Sequence, residues 1–133
     1  MRALLVEDDK FFQHFYSTKL RERDIEVEVA SDGEEGIMKM KSFSPNIVFL
    51  DLIMPKKDGF EVLTERSVDS NLLKIPVIVF STLGQEKDIE NARRLGANDY
   101  VNKSFFNFEE IMTKINKYAS NYTTQTSSSE GLI

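Results

Sequence analysis

The chain has 133 residues, 41% hydrophobic and 29% charged, which suits one soluble globular domain and leaves no room for a second, catalytic one. It has no cysteine and a single histidine, His14, so disulfides, thiolate zinc sites, cysteine nucleophiles and multi-histidine metal centres are excluded. A net charge of -5 argues against sequence-independent, direct nucleic-acid binding, and no apolar run is long enough to span a membrane or form a signal-peptide core, so a cytoplasmic location is expected.

Along the chain, short β-like runs alternate with longer helical ones. Ala3 to Val6 is an apolar run that ends in acids. Lys10 to Arg23 carries Phe12, Phe15, Tyr16 and Leu20 on one stripe, the pattern of an amphipathic helix, with Asp9 as its expected N-cap. Ile25 to Val29 alternates with period two and reads as a strand with one wetter face. Ser31 and Glu34 have capping-box spacing for a helix from about Asp32 to Phe43, with Ile37, Met38 and Met40 or Lys41 on its buried side. Pro45 stops it. Asn46–Asp51 and Pro76–Ser81 are nearly continuous apolar runs, as parallel strands covered on both faces should be. Between them Asp58-Gly59 opens a helix carrying Phe60, Val62 and Leu63. A helix near Gln85–Leu95, a brief strand near Asp99–Asn102 and a helix near Asn107–Ala119 follow, the last announced by Asn107 and Glu110, with Ile111, Met112, Ile115 and Tyr118 inward.

Five strands alternating with five helices in residues 1–119 predict a doubly wound α/β fold with a five-stranded parallel sheet. Residues 120–133, rich in Ser and Thr, read as a flexible tail or linker remnant.

In such sheets, sites lie at the carboxyl ends of the strands. Glu7 and Asp8 follow the first strand, Asp51 the third, Ser81 the fourth and Lys103 the fifth. Three close carboxylates repel unless a cation neutralises them, and a hard ion with oxygen ligands does so, magnesium being the natural candidate. A lysine and a hydroxyl beside the same carboxylate could clamp a phosphoryl group.

At these residues the sequence closely resembles the receiver domain of two-component response regulators. The motifs are Leu4-Leu5-Val6-Glu7-Asp8, Val48 through Gly59 with Asp51-Leu52-Ile53-Met54-Pro55, Pro76 through Ser81, and Gly96 through Lys103; the intervals between them match the family's spacing. The resemblance implies a flavodoxin-like sheet of order 2-1-3-4-5. It implies Asp51 as phospho-acceptor, Glu7, Asp8 and Asp51 as Mg2+ ligands with Ile53 contributing its carbonyl, Ser81 as switch hydroxyl, Lys103 as phosphate-binding cation and Tyr100 as switch aromatic. The implied partners are a sensor histidine kinase or histidine phosphotransfer protein and a downstream effector, with a homodimer on phosphorylation. No enzyme is implied beyond the module's own phosphotransfer and dephosphorylation. Two departures stand out. Serine occupies the hydroxyl position where threonine is commoner, and Ser104 follows Lys103 where the family usually has a proline joined by a cis bond. A cis bond before a non-proline costs roughly 2.5 to 4 kcal/mol, and the sequence leaves cis or trans, and with it the resting position of Lys103, open.

Other readings are weaker. An aspartyl phosphohydrolase would need a second carboxylate two residues after Asp51, where Ile53 stands. A flavin carrier would need a small-residue phosphate loop after the first strand, where Lys10-Phe11-Phe12 stands. A degenerate docking module would not keep the pocket residues. His14 reads as a surface residue, and Phe11, off the buried stripe, as an ordinary surface residue with a partner contact as the alternative. By the inferred geometry Ile53 and Leu83 flank the approach of water to a phosphorylated Asp51, which predicts slow loss of phosphate.

Overall fold

The computed structural model describes residues 1–82, 85–105 and 107–119. The tail expected over 120–133 therefore lies outside the described residues. Strands β1 (Arg2–Val6), β2 (Glu26–Ala30), β3 (Ile47–Leu50), β4 (Val77–Ser81) and β5 (Asp99–Asn102) form one sheet in the order β2-β1-β3-β4-β5, every pair parallel. Helices α1 (Lys10–Arg21), α2 (Gly33–Phe43), α3 (Gly59–Ser67), α4 (Glu86–Arg94) and α5 (Phe108–Tyr118) connect them. The fold is the expected flavodoxin-like one.

Alternation along each strand divides the core in two. Leu4, Val6, Val48, Leu50, Val77 and Val79 face Ile37, Met40, Val62 and Leu63 of α2 and α3. Ala3, Leu5, Ile47, Phe49, Ile78 and Phe80 face Tyr16 and Leu20 of α1 and Ile111 and Ile115 of α5. The central strands are apolar on both sides because both sides are covered, as all-parallel sheets require.

Element ends differ from the sequence expectation where side-chain chemistry outranks spacing. The N-cap of α2 is Asp32, whose side chain accepts the Glu35 N–H at 2.9 Å, and Glu35 in turn accepts the Ser31 N–H; the cap lies one residue beyond Ser31 and is not a reciprocal box. Met38 is exposed, because the inward positions of α2 are Gly33, Gly36, Ile37 and Met40, and Lys41 is exposed too. The two glycines let the helix press on Val6 and on the loop before α3. Ile25 is buried but precedes β2, since its N–H turns back to the Leu20 carbonyl. Asn107 caps α5 through the Glu109 N–H and not that of Glu110.

One buried group has no counterpart in the periodicity. Arg66, at the end of α3, is 2% exposed and donates to the carbonyls of Leu73, Ile75 and Gly96 and to Asn98 Oδ1, at 2.8–3.3 Å. Its burial disfavours the charged guanidinium, yet its planar fork of donors is matched by fixed oxygens from the turn before β4 and the turn before β5. Replacing Arg66 by Ala should cost about 2–4 kcal/mol in urea unfolding, since several buried carbonyls lose their donor at once. Arg66→Lys should recover little, because one ammonium cannot span that set.

Candidate functional site

The strand order β2-β1-β3-β4-β5 changes its direction of travel at β1, which places β1 and β3 side by side and parallel, with Val6 paired to Leu50. The next residues, Glu7 and Asp51, therefore emerge together at the carboxyl edge. The Asp51 N–H bonds the Val6 carbonyl at 3.0 Å and the Glu7 N–H bonds the Ala30 carbonyl at 2.9 Å, so both carboxylates stand on fixed backbone. Glu7 and Asp51 are buried and Asp8 is exposed at the mouth. Oxygens of all three lie within 4.8 Å of one another, a donor set that suits a hard, oxygen-seeking cation.

Lys103 begins the 3-10 turn after β5 and reaches back across the end of β4. Its ammonium pairs with Glu7 Oε1 and, at 3.3 Å, with Asp51 Oδ2. The lysine is 6% exposed. Burial raises the Glu7 pKa, and the Asp51 charge adds to that, while the hydrogen bonds from Lys103 and the Asp9 N–H oppose it. No peptide bond among the described residues is cis, so the Lys103–Ser104 bond, left open by the sequence, is trans.

The loop after β3 carries Ile53 and Met54. The Ile53 N–H points at Asp51 Oδ1 at 3.5 Å, and its side chain is 58% exposed. Gly59 is required at the start of α3: a Cβ there would meet Leu52 Cα at 2.7 Å and crowd the Asp51 carbonyl. Leu83, paired with Ile53 in the sequence reading, lies outside the described residues.

Ser81 ends β4 fully buried, and the Tyr100 hydroxyl, from neighbouring β5, donates to the Ser81 carbonyl at 3.4 Å. Burial raises the Tyr100 pKa, helped by Asp88 and Asp51. All seven sequence-predicted residues thus gather at one sheet edge: Glu7, Asp8, Asp51, Ile53 and Lys103 in or around the pocket, with Ser81 and Tyr100 beside it. Two residues were not foreseen there. Gln13 is buried and donates from Nε2 to the Glu7 carbonyl and to Ser31 Oγ at 3.1 Å, which ties α1 to the ends of β1 and β2. Phe12, assigned to the apolar stripe, lays its ring over the Lys103 ammonium at 4.4 Å. As expected, Asp9 caps α1, His14 is exposed and Phe11 is exposed.

The family model for the response regulator receiver domain matches residues 3–116. The chain belongs to that family. It is 34% identical over 132 residues to a probable transcriptional regulator, ycf27, of Cyanophora paradoxa, covering 98% of this chain and 54% of that protein. It is 32% identical over 114 residues to the DNA-binding dual master transcriptional regulator RpaA of Synechocystis, covering 86% of this chain and 47% of that one. The chain thus spans about half the length of the curated relatives it matches. Among solved structures, the Mn(2+)-bound response regulator Rcp1 superposes with a TM-score of 0.74 at 30% identity, covering 88% of this chain and 92% of that one. Among the described residues no helix is long and apolar enough to cross a membrane.

In this receiver, Asp99 holds the edge strand to the last helix. Burial opposes ionisation of its carboxyl, but the Lys114 ammonium, the Tyr100 N–H and the Tyr118 hydroxyl, at 2.8–2.9 Å, outweigh burial and keep the pKa below the ordinary 3.8. A depressed folded value means that the stabilisation is complete above 3.8 and is lost as pH falls through the lower, folded value. Asp99→Asn should therefore lower unfolding free energy by about 1 kcal/mol at neutral pH, and the gap to wild type should close in acid. A gap that stays constant below pH 3 would show that the carboxylate charge is not what matters.

Proposed function

We propose that the chain is a phosphorylation-dependent signalling receiver that accepts a phosphoryl group on Asp51 from a histidine kinase or histidine phosphotransfer protein. The observation that carries this reading is a buried carboxylate bracketed by two others and by a buried ammonium at the sheet's carboxyl edge. An Asp51 oxygen attacks phosphorus, the bond from phosphorus to the donor's imidazole nitrogen breaks, and that nitrogen keeps the electron pair and takes a proton from water. Lys103 moves its ammonium from the carboxylates towards the phosphoryl oxygens, where negative charge accumulates. Glu7, Asp8, Asp51 and the Ile53 carbonyl would hold Mg2+, which when bound supplies positive charge to the same oxygens.

The Ser81 hydroxyl then turns to the phosphoryl group. Its backbone carbonyl holds the Tyr100 hydroxyl, so a shift of Ser81 is felt at Tyr100 and at the face of α4, β5 and α5. That face is the reading's output surface, and homodimerisation or an effector acts there. The curated relatives are transcriptional regulators, which supports an effector that acts on gene expression, with nucleic acid contacted outside this receiver. A cytoplasmic location goes with this reading, because the phosphodonor is made there. Phe11, exposed in the first turn of α1, is the proposed donor contact.

Acetyl phosphate with magnesium should label wild type on Asp51 alone, and both Asp51→Asn and EDTA should abolish labelling. Label that survives either one overturns the assignment. Loss of phosphate should be slow, because Ile53 cannot orient an attacking water. The double variant Ile53→Asn, Leu83→Glu should lose it about tenfold faster, the equivalent of ~1.4 kcal/mol in the barrier. Equal decay in the two proteins would place control of water elsewhere.

A further inference from the structure

Lys103 has to hold a flexible four-carbon stem and a charged head in one place without a proline after it. Ser104, which follows it, leaves the turn without a ring to stiffen it. Among the described residues the ammonium lies beside Glu7, Asp51, the Phe12 ring at 4.4 Å and the Phe80 ring at 5.9 Å. The two carboxylates are unreliable holders, because their net charge changes when a cation or a phosphoryl group arrives. The ring faces keep the same negative quadrupole throughout.

The placement of Phe12 is itself determined. Its N–H donates to Asp9 Oδ1 at 3.1 Å, and the Asp9 N–H donates to Glu7 Oε2 at 3.0 Å, so one turn of chain ties the ring to the carboxylate that the lysine also grips. The Phe12 ring stacks on Tyr16 with centroids 5.8 Å apart, and Tyr16 meets Phe80 edge-on at 4.5 Å. Phe12, Tyr16 and Phe80 form a continuous aromatic wall along which the ammonium rests. An aliphatic side chain in that position would strip water from the charge and return nothing, whereas a ring face offsets part of that cost.

We propose that Phe12 is a positioning residue for Lys103: its ring keeps the ammonium beside Asp51 when the pocket's charge changes during phosphoryl transfer. The proposal rests on the receiver reading of the pocket. It concerns this chain's own aromatic residue and needs no bound metal to be examined.

The test compares wild type, Phe12→Leu and Phe12→Tyr, with thermal melts confirming that each is folded. The first readout is the proton spectrum of the Lys103 side chain, assigned by its loss in Lys103→Met. Ring current should shift these protons upfield of the other lysines in wild type and Phe12→Tyr, and the shift should collapse in Phe12→Leu. The second readout is the labelling rate with acetyl phosphate and magnesium. It should fall about fivefold in Phe12→Leu, equivalent to ~1 kcal/mol, and return in Phe12→Tyr. Should Phe12→Leu fail to fold, Phe12→Met replaces it with the same expectations. Unshifted Lys103 protons in wild type, an undiminished rate without the ring, or a tyrosine variant as slow as the leucine one would each overturn the proposal. Wild type that takes no label would sink the receiver reading instead, and the spectra would still decide whether the ring holds the lysine.

Discussion

The ammonium of Lys103 between Glu7 and Asp51 is the contact on which the rest of the site depends. Parallel pairing of β1 with β3 forces two carboxylates together at the sheet edge, and away from water their repulsion is larger than at a surface. A cation must be present whether or not a ligand is bound. The lysine that supplies it comes from the turn after β5, two strands beyond Asp51 in the sheet. One ion-pair cluster therefore ties the edge strand to the centre. Desolvation offsets much of the Coulomb gain in such clusters, so its main product is a defined geometry, with stability second.

Away from that cluster the molecule is held unevenly. Helices α1, α2, α3 and α5 each bury two or more large side chains against the sheet, whereas of the residues Glu86–Arg94 in α4 Ala92 alone is fully buried. Charged residues cover most of α4, and the loop before it leads from Ser81. Low apolar burial means low local stability, and segments that change conformation are drawn from such regions. Below α4, Arg66 fixes the turn into β5 through the Gly96 carbonyl and the Asn98 side chain. The weakly packed helix thus has a fixed base at its C-terminal end.

How much of this was legible in the sequence depended on the kind of signal. Strand-end acids, the apolar central strands and the helical stripes are local patterns, and they placed the elements and brought Glu7, Asp8, Asp51, Ser81 and Lys103 to one sheet edge, whereas Ile53 and Tyr100 came from the resemblance to the receiver family. Met38 was misplaced because glycine carries no hydrophobic signal: Gly33 and Gly36 make part of the buried face of α2, and counting apolar residues rotates that face towards Met38. The cap expected at Ser31 lies at Asp32 because both spacings offer a capping side chain. Gln13, Phe12 and Arg66 were missed for a different reason. Their roles are set by contacts with residues far along the chain, Ser31, Lys103 and Gly96, and no periodicity encodes such a contact. A polar residue on an otherwise apolar helix face was the available clue for Gln13 and Arg66, and only the fold gives it a partner.

Arg66 and Lys103 show two ways of burying a positive charge, and the difference separates scaffold from site. Arg66 is surrounded by neutral oxygens, mostly backbone carbonyls, whose positions are fixed by secondary structure and whose dipoles no ligand can neutralise. It has nowhere else to go, so it acts as a permanent fastener. Lys103 is surrounded by carboxylates, which bind it more strongly but accept other cations equally well, and by rings that favour any nearby ammonium. Its partners can be shared or exchanged without breaking the backbone network. A charge solvated by dipoles is structure, whereas a charge balanced by other charges can respond to a change in them, and this fold places the second kind at the carboxyl edge of its sheet.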